Sequence, residues 1–228
     1  MPKNGIALVV FSLSIEEELK RKPFLATKNL AKSLRSHLSN ITKNCGLPVF
    51  HYDEQRQFGS DFGSRFSNAL QDVCKKGYHA IIAIGGDVPH LEARHILLAK
   101  EELLKGNTVV GPTFDGGFYL LGILSNDFDH STFQGFSWNS QTVYEELLQT
   151  LSARNRSTVT LQKLRDVDHF SDIGKLDLRY LRTSSLRQLI QDIRSLGQDD
   201  FKNLHLGNFR LLTAVPFNKG SPSTFPFS

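Results

Sequence analysis

The sequence predicts an α/β three-layer sandwich around a mostly parallel, mixed sheet, and three observations carry that reading. Over residues 6–124, apolar runs of strand length alternate with stretches whose apolar residues recur every three or four positions. The run at residues 80–84, Ala-Ile-Ile-Ala-Ile, lacks the polar alternation of a strand with one wet face, so it belongs inside a sheet covered on both sides. Two of the apolar runs end in glycines and an aspartate, at Gly85-Gly86-Asp87 and at Asp115-Gly116-Gly117. Each carboxylate should then sit just past a strand end, the edge where open α/β sheets bind ligands.

The elements follow in order. Residues 6–11 are dense in β-branched and aromatic side chains and read as the first inner strand. Residues 12–22 are polar and should overhang the sheet edge that carries Asp87. Leu30, Leu34, Leu38 and Ile41 repeat at helical spacing, and Gly46 and Pro48 end that helix. Residues 47–52 supply a second strand, and a polar loop at 53–60 leads to a helix over about 61–76 with Phe62, Phe66, Leu70 and Val73 on its apolar face. After the 80–84 strand, Pro89 turns the chain away from the sheet, and a helix over about 92–105 buries Ile96, Ala99 and Leu103. A strand leading to Gly111-Pro112 comes next. Only a short loop separates it from the strand-like run at 118–124, too little for a helical crossover, so this pair is a hairpin or a departure from the parallel order. Ser140 is positioned to cap a helix carrying Val143, Leu147, Leu148 and Leu151, with Glu145 and Glu146 in its favourable first turn. A brief strand at 158–161, a helix capped by Ser171, and an amphipathic helix through Leu186, Ile190 and Ile193 complete the periodic part. The remaining residues contain Pro216, Pro222 and Pro226 and read as an irregular extension anchored at 209–212.

Composition removes several classes of function. The net charge is +4, and no basic block exceeds Lys20-Arg21-Lys22, which argues against a phosphate-tracking nucleic-acid surface and leaves a small anionic substrate compatible. Cys45 and Cys74 lie far apart with no metal-ligand spacing, so they read as packing residues in a reducing compartment. Glu16, Glu17 and Glu18 follow the first apolar run directly, against a signal peptide, and no run reaches membrane-spanning length, so a cytoplasmic location without a membrane span is expected. A Walker A loop, a Gly-x-Gly-x-x-Gly fingerprint, a Gly-x-Ser-x-Gly elbow and a zinc-type His/Cys cluster are all missing from the sequence.

Four segments occur in a recognisable order: Gly85-Gly86-Asp87-Val88-Pro89, then Gly111-Pro112 through Asp115-Gly116-Gly117-Phe118-Tyr119-Leu120-Leu121-Gly122, then Phe136-Ser137-Trp138, then Asp166-Val167-Asp168. In this the chain resembles the bacterial family called domain of unknown function 2064, over roughly the first 175 residues. That family is similar to glycosyltransferases of the GT-A, or nucleotide-diphospho-sugar transferase, fold. The resemblance implies a nucleotide-binding α/β domain over 1–178, with a C-terminal helix and irregular extension over 179–228 packed on it. It implies a nucleotide or nucleotide-sugar donor, a small-molecule acceptor, and Mg²⁺ or Mn²⁺ held against the donor phosphates by carboxylates. Asp87 is then the expected metal-proximal carboxylate, with Asp166 or Asp168 as a second ligand. Asp115, Gly116 and Gly117 would meet the acceptor or the sugar.

The catalytic candidates are Asp87 and Asp115. The substrate-binding candidates are Gly86, Pro89, Gly116, Gly117, Trp138, Lys20, Lys22, Asp61 and Arg65. Where the family has a Pro-Gly and then a Lys-Thr-Arg-Leu stretch, this chain has residues 12–22, so Lys20 and Lys22 are the cations expected to reach inward. Plain alternatives stand beside these roles: Asp87 as a helix cap, Asp115 as turn chemistry, Asp168 as a loop-orienting group, Trp138 as core, His90 as a packing residue, and Asp61 with Arg65 as a surface pair. Transfer of a glycosyl group is the leading expectation. Nucleotidyl transfer and a non-catalytic, ligand-binding protein are the rivals, and the C-terminal extension would cover the site or form a homodimer contact.

Overall fold

The structure is a computed structural model that describes residues 3–153 and 157–195. Among them are strands β1 (Lys3–Phe11), β2 (Val49–Tyr52), β3 (Tyr78–Ile84), β4 (Thr108–Pro112), β5 (Phe118–Leu124) and β6 (Thr158–Thr160), in the spatial order β2-β1-β3-β5-β4-β6. β1 pairs parallel with β2 and β3, and β4 pairs parallel with β6. Only β5 runs the other way, antiparallel to both β3 and β4. The short loop before residue 118 therefore makes a β4–β5 hairpin. Because β5 inserts itself between β3 and β4, those two strands still end at the same rim, and so do the aspartates that follow them.

Side-chain alternation divides the core. Leu8, Val10, Ile82 and Ile84 face the layer containing α2 (Leu30–Lys43) and α4 (Ala93–Leu104), where Leu38, Ile41, Ile96, Ala99 and Leu103 are buried. Ala7, Val9, Ile81 and Ala83 face the opposite layer, formed by α3 (Phe62–Lys75), α5 (His130–Gln134) and α6 (Val143–Ser152) through Phe66, Leu70, Phe133, Leu147 and Leu151. The unbroken apolar run at 80–84 is thus explained by two apolar layers, one per face. A third cluster joins Phe24, Leu25, Leu30 and Leu34 to Val167, Ile173, Leu186, Ile190 and Ile193, packing α7 (Phe170–Lys175) and α8 (Ser184–Ser195) beside the amino-terminal half of α2.

Several local expectations are corrected. Residues 12–22 overhang the edge that carries Asp87, as expected, but they do so as a helix, which was not: Ser14 accepts from the Glu17 amide and caps α1 (Ile15–Arg21), whose three first-turn glutamates suit a helix start. Ser140 does not cap α6. Thr142 is its N-cap residue, and Ser140 Oγ accepts from the Thr142 amide just outside the helix. Ser171 does not cap α7, because His169 holds that position and its amide donates to Asp172 Oδ2 at 2.9 Å. The expected anchor at 209–212 lies outside the described residues. Among the described residues, no helix is long and apolar enough to cross a membrane.

Candidate functional site

The carboxyl ends of β1, β3 and β4 open onto one cleft of about 720 Å³, within the range of roughly 300–1,000 Å³ found for small-molecule sites. Backbone pairing explains why distant acids meet there. Beyond β6 the chain keeps following β4: the Leu161 amide donates to Val110 O, and the Leu164 amide to Pro112 O at 3.0 Å. It then crosses to the β3 loop, where the Val167 amide donates to Asp87 O at 2.9 Å. Asp166 and Asp168 are carried by this path to the rim that already bears Asp87 and Asp115.

Asp115, Asp166 and Asp168 each present an oxygen, and these oxygens all lie within 4.8 Å of one another. Asp115 is exposed and its Oδ1 is fixed by two donors, the Thr113 hydroxyl and the Gly117 amide. Asp166 is 5% exposed. Asp87 does not join this group. Its Oδ2 instead accepts from Lys22 Nζ at 3.1 Å, and the same ammonium bonds Asp168 Oδ1 at 2.7 Å and Val167 O at 3.1 Å. Glu18 Oε1 lies 3.3 Å from it. Burial opposes the charge on Lys22, but Asp87, Asp168 and Glu18 outweigh it and hold the ammonium well above the usual lysine range. Burial raises the Glu18 carboxyl above its ordinary value, against the pull of Lys22.

The other expected site residues divide into two sets. Gly86, Gly117 and Trp138 lie at the cleft. At Gly86 a Cβ would stand 2.8 Å from the Ser12 Cβ, so the β3 loop and the end of β1 pack too closely for a side chain. Trp138 is wall and core at once: it lines the cleft, its ring centroid is 4.9 Å from that of Phe62, and its Nε1 donates to Phe133 O at 2.6 Å. Pro89, Gly116, Lys20, Asp61 and Arg65 do not line it. Lys20 is two residues from Lys22, hence on another side of α1, and its 73% exposed side chain pairs with Glu17. Asp61 caps α3 by accepting from the Ser64 amide at 2.7 Å, and Arg65 is buried one turn on. Pro89 is buried beside the rim. Gly116 sits behind it at φ +90°, where a Cβ would lie 2.1 Å from Gln141 O. His90 is a packing residue, its Nε2 2.8 Å from Asp177 O.

Sequence reasoning missed Arg21. It lines the cleft with only 11% of its side chain exposed, and among the described residues its buried Nη1 has no hydrogen-bond partner. The signal was the basic run, but without α1 its helical phase was unknown. Arg165 and Lys175 add positive charge to the same lining, Arg165 lying 4.4 Å from the centre of the exposed Phe114 ring. The cleft therefore combines an acidic centre with cationic walls, which suits a cation and a phosphorylated ligand bound together.

The family described as "Uncharacterized protein conserved in bacteria (DUF2064)" matches residues 36–140, and it is the family that the glycine-aspartate motifs resemble. No curated protein matches the chain. Among solved structures, a protein from Desulfovibrio desulfuricans G20, provisionally described as a nucleotide-diphospho-sugar transferase, superposes with a TM-score of 0.69 at 20% identity over 87% of this chain and 99% of its own. The Mycobacterium tuberculosis protein Rv0371c in complex with manganese aligns with a TM-score of 0.42 at 12% identity, over 79% of this chain and 100% of its own. A cytidylyltransferase from Leptospira borgpetersenii aligns with a TM-score of 0.41 at 11% identity, over 85% of this chain and 95% of its own. The first of these fixes the fold as that of nucleotide-diphospho-sugar transferases.

Proposed function

We propose that the protein is a transferase acting on a nucleotide-activated donor, and that it moves a glycosyl group from that donor to a small-molecule acceptor. The observation that carries this is the meeting of Asp115 with Asp166 and Asp168, from segments some fifty residues apart, in a cleft also lined by Arg21, whose buried Nη1 has no hydrogen-bond partner among the described residues. Anionic phosphates need donors of this kind, and an arginine is well matched to them. In the transfer, the bond from the anomeric carbon to the diphosphate oxygen breaks and one to an acceptor oxygen forms. The acceptor proton passes to a cleft carboxylate.

The donor set fits Mg²⁺ or Mn²⁺. Both are hard cations that favour oxygen ligands, and the cluster offers carboxylate oxygens within 4.8 Å of one another with no sulfur among them. Asp115, Asp166 and Asp168 would hold such an ion, which when bound neutralises charge on the leaving diphosphate. Asp115 thus takes the ligand role first expected of Asp87, whose place is beside Lys22. Arg21 orients the phosphates from the α1 side, and Trp138, with Phe62 and Phe118, walls off water from the reacting end.

The test is product identity. Incubated with Mn²⁺ and a panel of nucleotide-sugars and hydroxyl acceptors, the protein should release nucleoside diphosphate. Pyrophosphate from a nucleoside triphosphate and a phosphorylated acceptor would instead establish nucleotidyl transfer. Binding of nucleotides without any turnover would establish a non-catalytic protein.

A further inference from the structure

We propose that Lys22 is a built-in cation that fills the place of a second divalent ion and so limits the acidic cleft to one. The inference rests on the reading that Asp115, Asp166 and Asp168 hold a single ion. The Lys22 ammonium is enclosed by oxygen: Asp168 at 2.7 Å, Asp87 and the Val167 carbonyl each at 3.1 Å, and Glu18 at 3.3 Å. Carboxylates together with a backbone carbonyl are the ligand types that hard divalent cations choose, at distances of about 2.0–2.6 Å. An ammonium holds the same oxygens slightly farther apart.

Asp168 belongs to both groups. It bonds Lys22 and also offers an oxygen to the cluster with Asp115 and Asp166, as a bridging carboxylate does where two metal ions sit roughly 3.5–4 Å apart. Lys22 cannot easily withdraw. Its amide closes α1 by donating to Glu18 O at 2.7 Å, Pro23 follows directly, and the side chain is only 15% exposed. An ammonium has three protons, and four oxygens surround this one. Lys22 is therefore a positioning residue acting through Asp168 and Asp87, and the phosphate donor on this helix is Arg21, through the Nη1 that has no partner among the described residues.

Removing the ammonium should convert a one-ion cleft into a two-ion cleft. The number of Mn²⁺ ions bound per chain, counted by loss of the free-ion electron paramagnetic resonance signal, is expected to rise from one in the wild type to two in Lys22→Ala. It should stay at one in Lys22→Arg, which keeps the charge, and return to one in the double variant Lys22→Ala with Asp87→Asn. Lys22→Gln, which keeps length and a hydrogen-bond donor without charge, covers the case in which the alanine variant fails to fold, and should also bind the extra ion. Mn²⁺ should raise the melting temperature of either neutral variant more than that of the wild type. An equal ion count in wild type and both neutral variants, or two ions in the wild type, would overturn the inference while leaving the transferase reading standing. No ion in the wild type would overturn the reading that Asp115, Asp166 and Asp168 hold a metal, and this inference with it, a result distinct from two ions in the wild type.

Discussion

Gly116→Ala is the substitution whose cost can be worked most directly from the structure. Gly116 has φ +90°, and an added Cβ would stand 2.1 Å from Gln141 O and 2.6 Å from Gln141 Cα. The clash is with backbone, so no rotamer change relieves it. A left-handed conformation costs a non-glycine residue roughly 1–2 kcal/mol, and forcing atoms into a packed contact costs about 1–3 kcal/mol more. The sum, about 2–5 kcal/mol, corresponds to a fall in melting temperature of about 4–20 °C for a chain of this size. Gly106→Ala is the internal control: its φ is +84°, but nothing lies within 4 Å of the added atom. It should show the conformational cost alone, about 1–2 kcal/mol. The same segment ties the loop that carries Asp115 to the first turn of α6, since the Tyr144 amide donates to Gly116 O at 3.0 Å. Urea unfolding of the two variants, with Mn²⁺ affinity measured on each, separates the contributions. The reasoning fails if Gly116→Ala matches Gly106→Ala in stability and binds Mn²⁺ as the wild type does.

Arg21→Gln should weaken binding of a nucleoside diphosphate by about tenfold or more, the scale of a lost charged hydrogen bond of roughly 1.5–3 kcal/mol, while shifting the urea midpoint little, because Nη1 has no protein partner among the described residues and the Nε contact with Glu17 is long, at 3.5 Å; calorimetric titration reads the first and denaturation the second. Trp138 is the sole tryptophan and lines the cleft, so a nucleoside diphosphate with Mn²⁺ should change the emission of the whole protein, and an unaltered spectrum at saturating ligand would place the ligand elsewhere. His37 is held below its ordinary value of 6.5 by burial, against the opposing bond to Leu91 O, and burial lowers His51 and His95 likewise. The unfolded chain therefore binds more protons in mild acid, so stability is complete above about pH 6.5 and is lost as pH falls through the lower folded-state values. Melting temperatures from pH 7.5 to 5 should drop, and more gently in His37→Gln; equal slopes would refute the assignment.

The fold was legible because its strongest signals are long and periodic. The 80–84 run and the Leu30, Leu34, Leu38, Ile41 spacing each predict one element with one possible burial pattern, and the structure shows both. Two short helices escaped. α1 and α5 have seven and five residues and lack an extended apolar period; capping by Ser14 and Asp129, rather than core burial along a stripe, defines their starts. For the cleft, sequence placed carboxylates at a common rim but could not say which of them converge. That depends on the backbone path from Leu161 to Val167 along β4 and onto Asp87, a tertiary pairing with no local trace. The same limit separates Lys20 from Lys22: they read alike as cations, and only the phase of α1 sends one to solvent and the other among Glu18, Asp87 and Asp168.

The most direct test of the central claim is an anomalous-difference map from crystals grown with Mn²⁺ and a nucleoside diphosphate. One peak bounded by Asp115, Asp166 and Asp168, with the diphosphate reaching it from the Arg21 side, is the predicted result. A map with no peak among these carboxylates, or with the nucleotide bound away from the rim shared by β3 and β4, would contradict the account.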